Sequence, residues 1–247
     1  MQFILNLIID IGNSVSKGAV FERQSCIYKL TRDIIKAADL LDLLRDYPDI
    51  DRSIISTVRK EEPSFAGLLR DKGVRVLLLD HLTPLPIKNC YTTKETLGYD
   101  RIASAVEANA RFPGQDILII DMGTAITIDF ISSENEFLGG NISPGLLMRF
   151  RSLHEYTGRL PLVEPADQDA LLGDDTECAI RAGVQNGIIF ELDGYINEQK
   201  KRYPRLQVLM TGGDAVFFDK KLKNSIFVDL NLNLFGLHRI LEYNVER

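Results

Sequence analysis

The sequence of 247 residues lacks tryptophan and is poor in residues that form crosslinks or bind metals, with three cysteines and three histidines. Cys26, Cys90 and Cys178 are odd in number and far apart, and no Cys-x-x-Cys pair occurs. The histidines show no ligand spacing either. A disulfide framework and a zinc site are therefore not expected. Reduced thiols are typical of cytoplasmic proteins, so we expect a cytoplasmic location.

The sequence also lacks a basic surplus and a long apolar run. Lys and Arg number 29 against 35 Asp and Glu, and the net charge is −6. Because binding to phosphate backbones draws on a basic surplus, we expect no nucleic-acid partner. No apolar stretch reaches the roughly 20 residues that a membrane helix needs. Phe3–Ile9 is short and without a basic leader, so we expect neither a targeting segment nor a membrane partner.

Hydrophobic spacing alternates along the chain between the strand and the helix period. Phe3–Ile9, Asp116–Ile120 and Gln207–Thr211 are expected to form buried strands, and residues 176–201 a long helix. Strands that alternate with helices predict an α/β fold.

One internal repeat divides the chain. Leu7–Ser14 resembles Leu118–Ala125, because each has an apolar strand followed by Asp, an apolar residue, Gly and a small residue. The repeats of a solenoid recur every ~20–50 residues, and the two copies lie much further apart than that. We therefore predict two similar half-domains, residues 1–113 and 114–247, with a boundary near Pro113–Gly114.

A strand that ends in Asp-x-Gly can build a phosphate site. Glycine lets the backbone turn tightly and approach a ligand, and the N–H groups of the turn can cradle phosphate. Asp10 could hold a hydrated Mg²⁺ ion, and Lys17 could reach a phosphate as a point charge. The alternative for either copy is a hairpin turn without a ligand. Two copies at matched strand ends favour the phosphate site.

A third turn, Thr211–Asp214, contains paired glycines after a buried strand. Such glycines would let a nucleoside lie against the backbone, although a plain strand-to-helix turn has the same composition. Neither a P-loop nor a Gly-x-Gly-x-x-Gly motif occurs, so a nucleotide site here needs another design.

These motifs carry a family resemblance. The sequence resembles the superfamily of acetate and sugar kinases, actin and heat-shock-chaperone ATPases, and more narrowly the type III pantothenate kinases. The matching segments are Asp10–Ser14 with Lys17, Leu97–Arg101, Asp121–Ala125, Gly139–Gly145, Leu160-Pro161, and Thr176 near Ala179-Ile180. Two positions depart from the family pattern: Ser14 stands where Thr is usual, and Lys94 stands where Pro is common.

The resemblance implies an actin-like ATPase fold, with two similar half-domains of mixed sheet flanked by helices and an inter-domain cleft. It implies transfer of the γ-phosphoryl group of ATP to the primary hydroxyl of pantothenate. The product would be 4′-phosphopantothenate, in the first step of coenzyme A biosynthesis. The expected cofactors are Mg²⁺ and a monovalent cation, K⁺ or NH₄⁺, and the expected assembly is a homodimer.

The resemblance also implies roles for individual residues. Asp100 would be the general base, and Asp121 would be a ligand of the monovalent cation. The expected nucleotide and phosphate contacts are Asp10, which also orients Mg²⁺, Ile11, Gly12, Asn13, Ser14, Val15, Ser16, Lys17 and Thr124. The expected pantothenate contacts are Tyr91, Gly98, Tyr99, Asp100 and Arg101, with Thr176 supplied by the neighbouring subunit.

Several residues have structural alternatives. Asp100 could cap a helix that begins near Arg101, and both roles can hold at once. Arg101 could bind a carboxylate, neutralise the phosphoryl group or form a surface ion pair. Tyr91 could be a packing residue, and Thr176 could be the N-cap of the long helix. The apolar stripe of Ala179, Ile180, Val184 and Ile188 could lie at a subunit interface or in the core.

Two other functions remain open for the whole chain. One is a nucleotide-binding regulatory or accessory protein of the same fold without turnover. The other is a kinase of the same superfamily that acts on a sugar or a carboxylate. A positioned base and a substrate loop, Asp100 and Arg101 with Tyr91, favour an enzyme.

Overall fold

The computed structural model describes residues 4–57, 65–167 and 170–245. Phe3, with which the first expected strand begins, lies outside this range. In chain order the elements are β1 (Leu5–Ile11), β2 (Ser16–Glu22), β3 (Ser25–Arg32), α1 (Ala37–Asp46), β4 (Ile50–Thr57), α2 (Phe65–Asp71), β5 (Arg75–Leu78), β6 (Lys88–Asn89), a 3₁₀ turn (Lys94–Thr96), α3 (Tyr99–Arg111), β7 (Ile117–Met122), β8 (Ala125–Ile131), β9 (Glu136–Pro144), α4 (Leu146–Glu155), α5 (Thr176–Arg202), β10 (Gln207–Thr211), α6 (Ala215–Asp219), β11 (Phe227–Val228) and α7 (Leu232–Val245). The fold is α/β.

The chain forms two compact units. The first contains the residues up to Arg111 and those from Asn231 onward, and the second is Phe112–Leu230. The sequence predicted one half-domain over residues 114–247, whereas in the structure α7 belongs to the first unit. Leu234, Leu237 and Ile240 on this helix are almost fully buried, and their apolar face explains why α7 packs there.

The sheet of the first unit has the order β3-β2-β1-β4-β5. Each of the seven residues of β1 is buried, which explains its nearly continuous apolar sequence. β1 pairs antiparallel with β2 and parallel with β4. The register sets Asp10 opposite Lys17 on one side and beside Ser56 on the other.

The second unit repeats this plan. Its strands follow the order β9-β8-β7-β10-β11, in which β7 pairs antiparallel with β8 and parallel with β10. β7 therefore corresponds to β1, so the repeated Asp-x-Gly segments occupy equivalent strand ends. The repeat seen in the sequence is a repeat of topology.

The long helix α5 begins at the expected residue, but its N-cap is Asp175. The Oδ1 of Asp175 accepts a hydrogen bond from the backbone N–H of Cys178 at 2.8 Å. Thr176 is the first residue inside the helix and is exposed, so the capping alternative for it is wrong. Ile180, Val184 and Ile188 are buried in the core of the second unit, and Ala179 is exposed.

α3 and α7 cross closely within the first unit. A Cβ on Gly236 of α7 would lie 1.8 Å from the backbone oxygen of Ala103 on α3, so only glycine permits this approach. Glu107 on α3 is 2% exposed and forms ion pairs with Arg111, at 2.7 Å, and with Arg239 of α7. The crossing and the ion pairs fix α7 against α3.

His238 is a core residue of the first unit. His238 of α7 is 1% exposed and stacks on the ring of Phe21, with the centroids 4.3 Å apart. Burial lowers its pKa to about 4, so it is a neutral core residue at physiological pH. The three cysteines are free. None of the helices in the described ranges is both long enough and apolar enough to traverse a bilayer.

Candidate active site

Asp10 stands at the end of β1 with its carboxylate held from two sides. It is 6% exposed. The hydroxyl of Ser56 on β4 donates to its Oδ1 at 3.0 Å, and Nδ2 of Asn233 on α7 donates to its Oδ2 at 2.6 Å. Burial, and secondly the charge of Asp100, raise the pKa of Asp10 to about 6, while the bond from Ser56 and the charge of Lys17 act in the opposite direction.

The turn after Asp10 folds back at once into β2. The N–H of Gly12 donates to the carbonyl of Val15 at 3.1 Å, and a Cβ on Gly12 would lie 2.7 Å from that oxygen. Residues 13–15 are exposed, whereas Ser16 is buried and Lys17 is half-buried. The sequence therefore presents a short polar turn directly beside a buried carboxylate.

Asp100 lies in the first turn of α3, which begins at Tyr99. Its Oδ1 accepts a hydrogen bond from the backbone N–H of Arg101 at 2.8 Å. The helix starts earlier than expected, so Asp100 is not the residue that precedes it, although a carboxylate in this turn is favoured by the helix dipole. A Cβ on Gly98 would approach Asp100 Oδ1 to 2.5 Å, so the preceding glycine leaves room for the carboxylate.

Arg101 is buried, which excludes the surface ion pair as its role. It is 6% exposed, and its guanidinium carbon lies 5.5 Å from the ring centroid of Tyr91. This cation–π contact explains why Tyr91 is half-buried, and it orients a fixed positive charge. Tyr99 is also half-buried, and partial burial with the charge of Asp80 raises its pKa. The first unit thus brings together Asp10, the start of α3 and its preceding loop.

The second unit has an equivalent turn after Asp121, and glycines allow the backbone to pack closely around it. Asp121 is the penultimate residue of β7, and Gly123 donates its N–H to the carbonyl of Ala125 at 3.2 Å. A Cβ on Gly145 would lie 2.4 Å from the backbone oxygens of Gly123 and Thr124. The structure therefore packs the Gly139–Gly145 segment directly on this turn.

Gly212 directly follows β10 and packs against the turn after Asp121. It has φ +94°, and a Cβ there would lie 2.5 Å from Asp121 Oδ1. The paired-glycine turn found in the sequence therefore serves close backbone packing beside Asp121. Thr124 is exposed at the tip, and Thr176 is exposed at the start of α5.

Sequence reasoning missed two residues of this site, Ser56 and Asn233. The parallel register that places Ser56 beside Asp10 has no local signature. Asn233 had one usable signal, because it interrupts the apolar sequence Leu232–Leu234 at the start of a buried helix.

Comparison with solved structures agrees with this architecture. A crystal structure from Campylobacter jejuni, provisionally assigned to the Baf family of transcriptional activators, has a TM-score of 0.62 at 23% identity and covers 98% of this chain and 100% of its own. The inorganic polyphosphate/ATP-glucomannokinase of an Arthrobacter species has a TM-score of 0.52 at 14% identity, with 99% and 100% coverage. The fold is that of the actin-like ATPases and sugar kinases, as expected.

The chain is an ATP-dependent kinase of this class. The family model of type III pantothenate kinase matches residues 6–198. A type III pantothenate kinase from Bacteroides fragilis is 50% identical over 240 residues, which cover 97% of this chain and 98% of that protein. The chain belongs to the type III pantothenate kinase family, and the resemblance seen in the sequence is confirmed.

Proposed function

We propose that this kinase transfers the γ-phosphoryl group of ATP to the primary hydroxyl of pantothenate, giving 4′-phosphopantothenate, and so opens coenzyme A biosynthesis. The observation that carries the proposal is the pair of carboxylates in the first unit. Asp10 is buried and hydrogen-bonded, while Asp100 lies half-exposed at the start of α3 and acts electrostatically on Asp10. Two acids in such different surroundings suit two different tasks.

Asp100 is assigned the task of general base. It accepts the proton of the attacking hydroxyl, and a carboxylate suffices because the transition state of phosphoryl transfer is loose. Arg101, fixed against Tyr91, presents a guanidinium to the carboxylate of pantothenate, which it can bind with two parallel hydrogen bonds. Gly98 and Tyr99 complete the substrate loop.

Asp10 is assigned to a hydrated Mg²⁺ ion. Each of its oxygens accepts one protein hydrogen bond, which leaves acceptor capacity for water bound to the ion. Mg²⁺ retains several waters and takes one or two carboxylates together with phosphate oxygens, so the residues present fit it. The bound ion would supply positive charge to the phosphates.

The remaining nucleotide contacts are assigned to the two turns. In the turn after Asp10, the assigned contacts are Ile11, Gly12, Asn13, Ser14, Val15, Ser16 and Lys17. In the second, Thr124 donates its hydroxyl to phosphate, and Asp121 is a ligand of a monovalent cation, K⁺ or NH₄⁺. That cation would add positive charge to the phosphate site.

The activity is tested with purified protein, ATP, Mg²⁺ and a panel of acceptors. We expect phosphorylation of pantothenate in K⁺ and a clear loss of rate when Na⁺ replaces K⁺. Turnover of a sugar but not of pantothenate would reject the substrate. ATP binding without turnover of any acceptor would instead indicate an accessory protein. Equal rates in the two salts would remove the cation role of Asp121 alone.

We further propose a homodimer in which Thr176 completes the pantothenate site of the partner subunit. The second unit exposes large apolar side chains that a partner subunit could cover, among them Ile142 on β9 and Phe190 on α5. Ile142 is 64% and Phe190 56% exposed in the single chain. Burial of such side chains against a second subunit would favour association.

Complementation tests the shared site. Asp100→Asn and Thr176→Ala proteins are each expected to be impaired, because every site of either dimer lacks one group. Mixed dimers contain one site with both groups intact, so random exchange should restore about a quarter of the wild-type rate. Light scattering checks the dimer itself. A monomer, or mixing without any gain in rate, would refute the shared site.

A further inference from the structure

Asn233 contacts the buried carboxylate of the site from an unexpected part of the chain. It lies in the first turn of α7 and is 7% exposed. Its Nδ2 donates to Asp10 Oδ2 at 2.6 Å, whereas the opposite oxygen of Asp10 is occupied by Ser56. The two bonds fix both the position and the rotation of the carboxylate. Nδ2 must face the ionised carboxylate, because two acceptor oxygens at this distance would repel each other.

The second polar atom of the same amide has no structural task. Among the residues that the structure describes, the buried Oδ1 of Asn233 has no hydrogen-bond partner. A buried acceptor left in this state destabilises the folded protein. From the bond lengths of an amide, this oxygen is at most about 5 Å from Asp10 Oδ2. An unpaired acceptor therefore lies beside the carboxylate that is assigned to the divalent cation.

We propose that Asn233 is a positioning residue for the divalent cation held by Asp10. Nδ2 orients the carboxylate, and Oδ1 accepts a hydrogen bond from a water molecule in the hydration shell of the ion. Mg²⁺ keeps several waters when it binds to proteins, and outer-shell partners orient its ligands. The inference rests on the proposed function, since that function places the cation at Asp10.

The helix that carries Asn233 is held rigidly enough for this task. Gly236, one turn further along α7, lies against the backbone of Ala103 on α3. Arg239, one turn beyond, pairs with the buried Glu107 of α3. A group on a helix fixed at two successive turns is more precisely placed than one on a loop.

The test compares Asn233→Leu, which has nearly the same size but no polar atom, with a matched control at Asn6. Asn6 is 3% exposed and donates to Glu242 of α7 at 2.6 Å, and its Oδ1 also lacks a partner among the described residues. Asn6 and Asn233 are therefore both buried amides whose Nδ2 forms a hydrogen bond between β1 and α7. Of the two, only Asn233 bonds to Asp10. Asn6→Leu should lower the melting temperature and leave the binding of metal unchanged.

The main readout is the affinity for Mn²⁺ in the presence of ATP, measured by electron paramagnetic resonance. Asn233→Leu should weaken it by about 10- to 100-fold, the usual effect of losing an outer-shell partner. The Mg²⁺ concentration for half-maximal rate should rise by the same factor, with kcat at saturating Mg²⁺ and KM for pantothenate nearly unchanged. If Asn233→Leu does not fold, Asn233→Ser replaces it, with a smaller loss expected because a hydroxyl is retained.

The outcomes separate this inference from the proposed function. Asp10→Asn should weaken Mn²⁺ binding more than any change at Asn233. If Asp10→Asn weakens binding and the folded Asn233 variants bind Mn²⁺ like the wild type, the inference is overturned and the metal role of Asp10 stands. If Asp10→Asn leaves the affinity unchanged, the metal role of Asp10 fails and the inference fails with it.

Discussion

Replacement of Asp100 by asparagine is expected to lower kcat for pantothenate by roughly 10²- to 10⁴-fold, the usual contribution of a general base. An amide cannot accept the hydroxyl proton. Its Oδ1 can still accept the N–H of Arg101, which is the hydrogen bond that the carboxylate makes at the start of α3. The variant should therefore fold with the same melting temperature. The rate is measured by coupled assay and the melting temperature by calorimetry.

The same variant should retain its affinity for ATP. Loss of the negative charge at Asp100 removes one cause of the raised pKa of Asp10, so Asp10 is ionised at least as readily as before. Glu95→Gln is the matched control, because Glu95 is an exposed acid in the 3₁₀ turn that precedes α3, and the activity of this variant should not change. An Asp100→Asn enzyme within a few-fold of the parent rate would remove Asp100 as the base.

Replacement of Gly236 by alanine is expected to produce a large loss of stability. The new methyl group would lie 1.8 Å from the backbone oxygen of Ala103 and 2.5 Å from its carbonyl carbon. Neither helix can yield by changing a rotamer, because the clash is with backbone. The strain should reach about 3 kcal/mol and lower the melting temperature by roughly 6–12 °C.

The effect of Gly236→Ala should extend to catalysis, since α3 carries Asp100 and α7 carries Asn233. We expect a reduced rate even at temperatures where the variant is folded. Gly183→Ala is the control. Gly183 also lies inside a helix, but nothing approaches its Cβ position within 4 Å, so alanine should be neutral or stabilising by about 0.5–1 kcal/mol. Equal melting temperatures for both variants would contradict the close crossing.

The sequence predicted the central features of the fold because they have local causes. The apolar strands before Asp10 and Asp121, the glycine turns and the limits of α5 were all found in this way. The structure adds that the two acidic turns belong to one repeated strand order. Asp175, rather than Thr176, is the N-cap, although both residue types suit that position and only the geometry distinguishes them.

Long-range features could not be predicted from local pattern. The apolar face of α7 shows that the helix is buried, but it does not show which unit buries it. Ser56 reaches Asp10 through a parallel register between strands separated by several elements. Asn233 and Asp10 are 223 residues apart. The residue types at these positions became informative only when the fold brought them together.

The return of α7 to the first unit has a consequence for the order of folding during synthesis. Chains emerge from the ribosome starting at the N-terminus, and domains fold as units. The second unit, Phe112–Leu230, is therefore available in full before α7 has been translated. The strands of the first unit keep part of their apolar surface uncovered until α7 has been translated. The amide of Asn233 thus reaches Asp10 only after the whole second unit has been translated, and premature termination shortly before α7 would leave a complete second unit and an incomplete first unit.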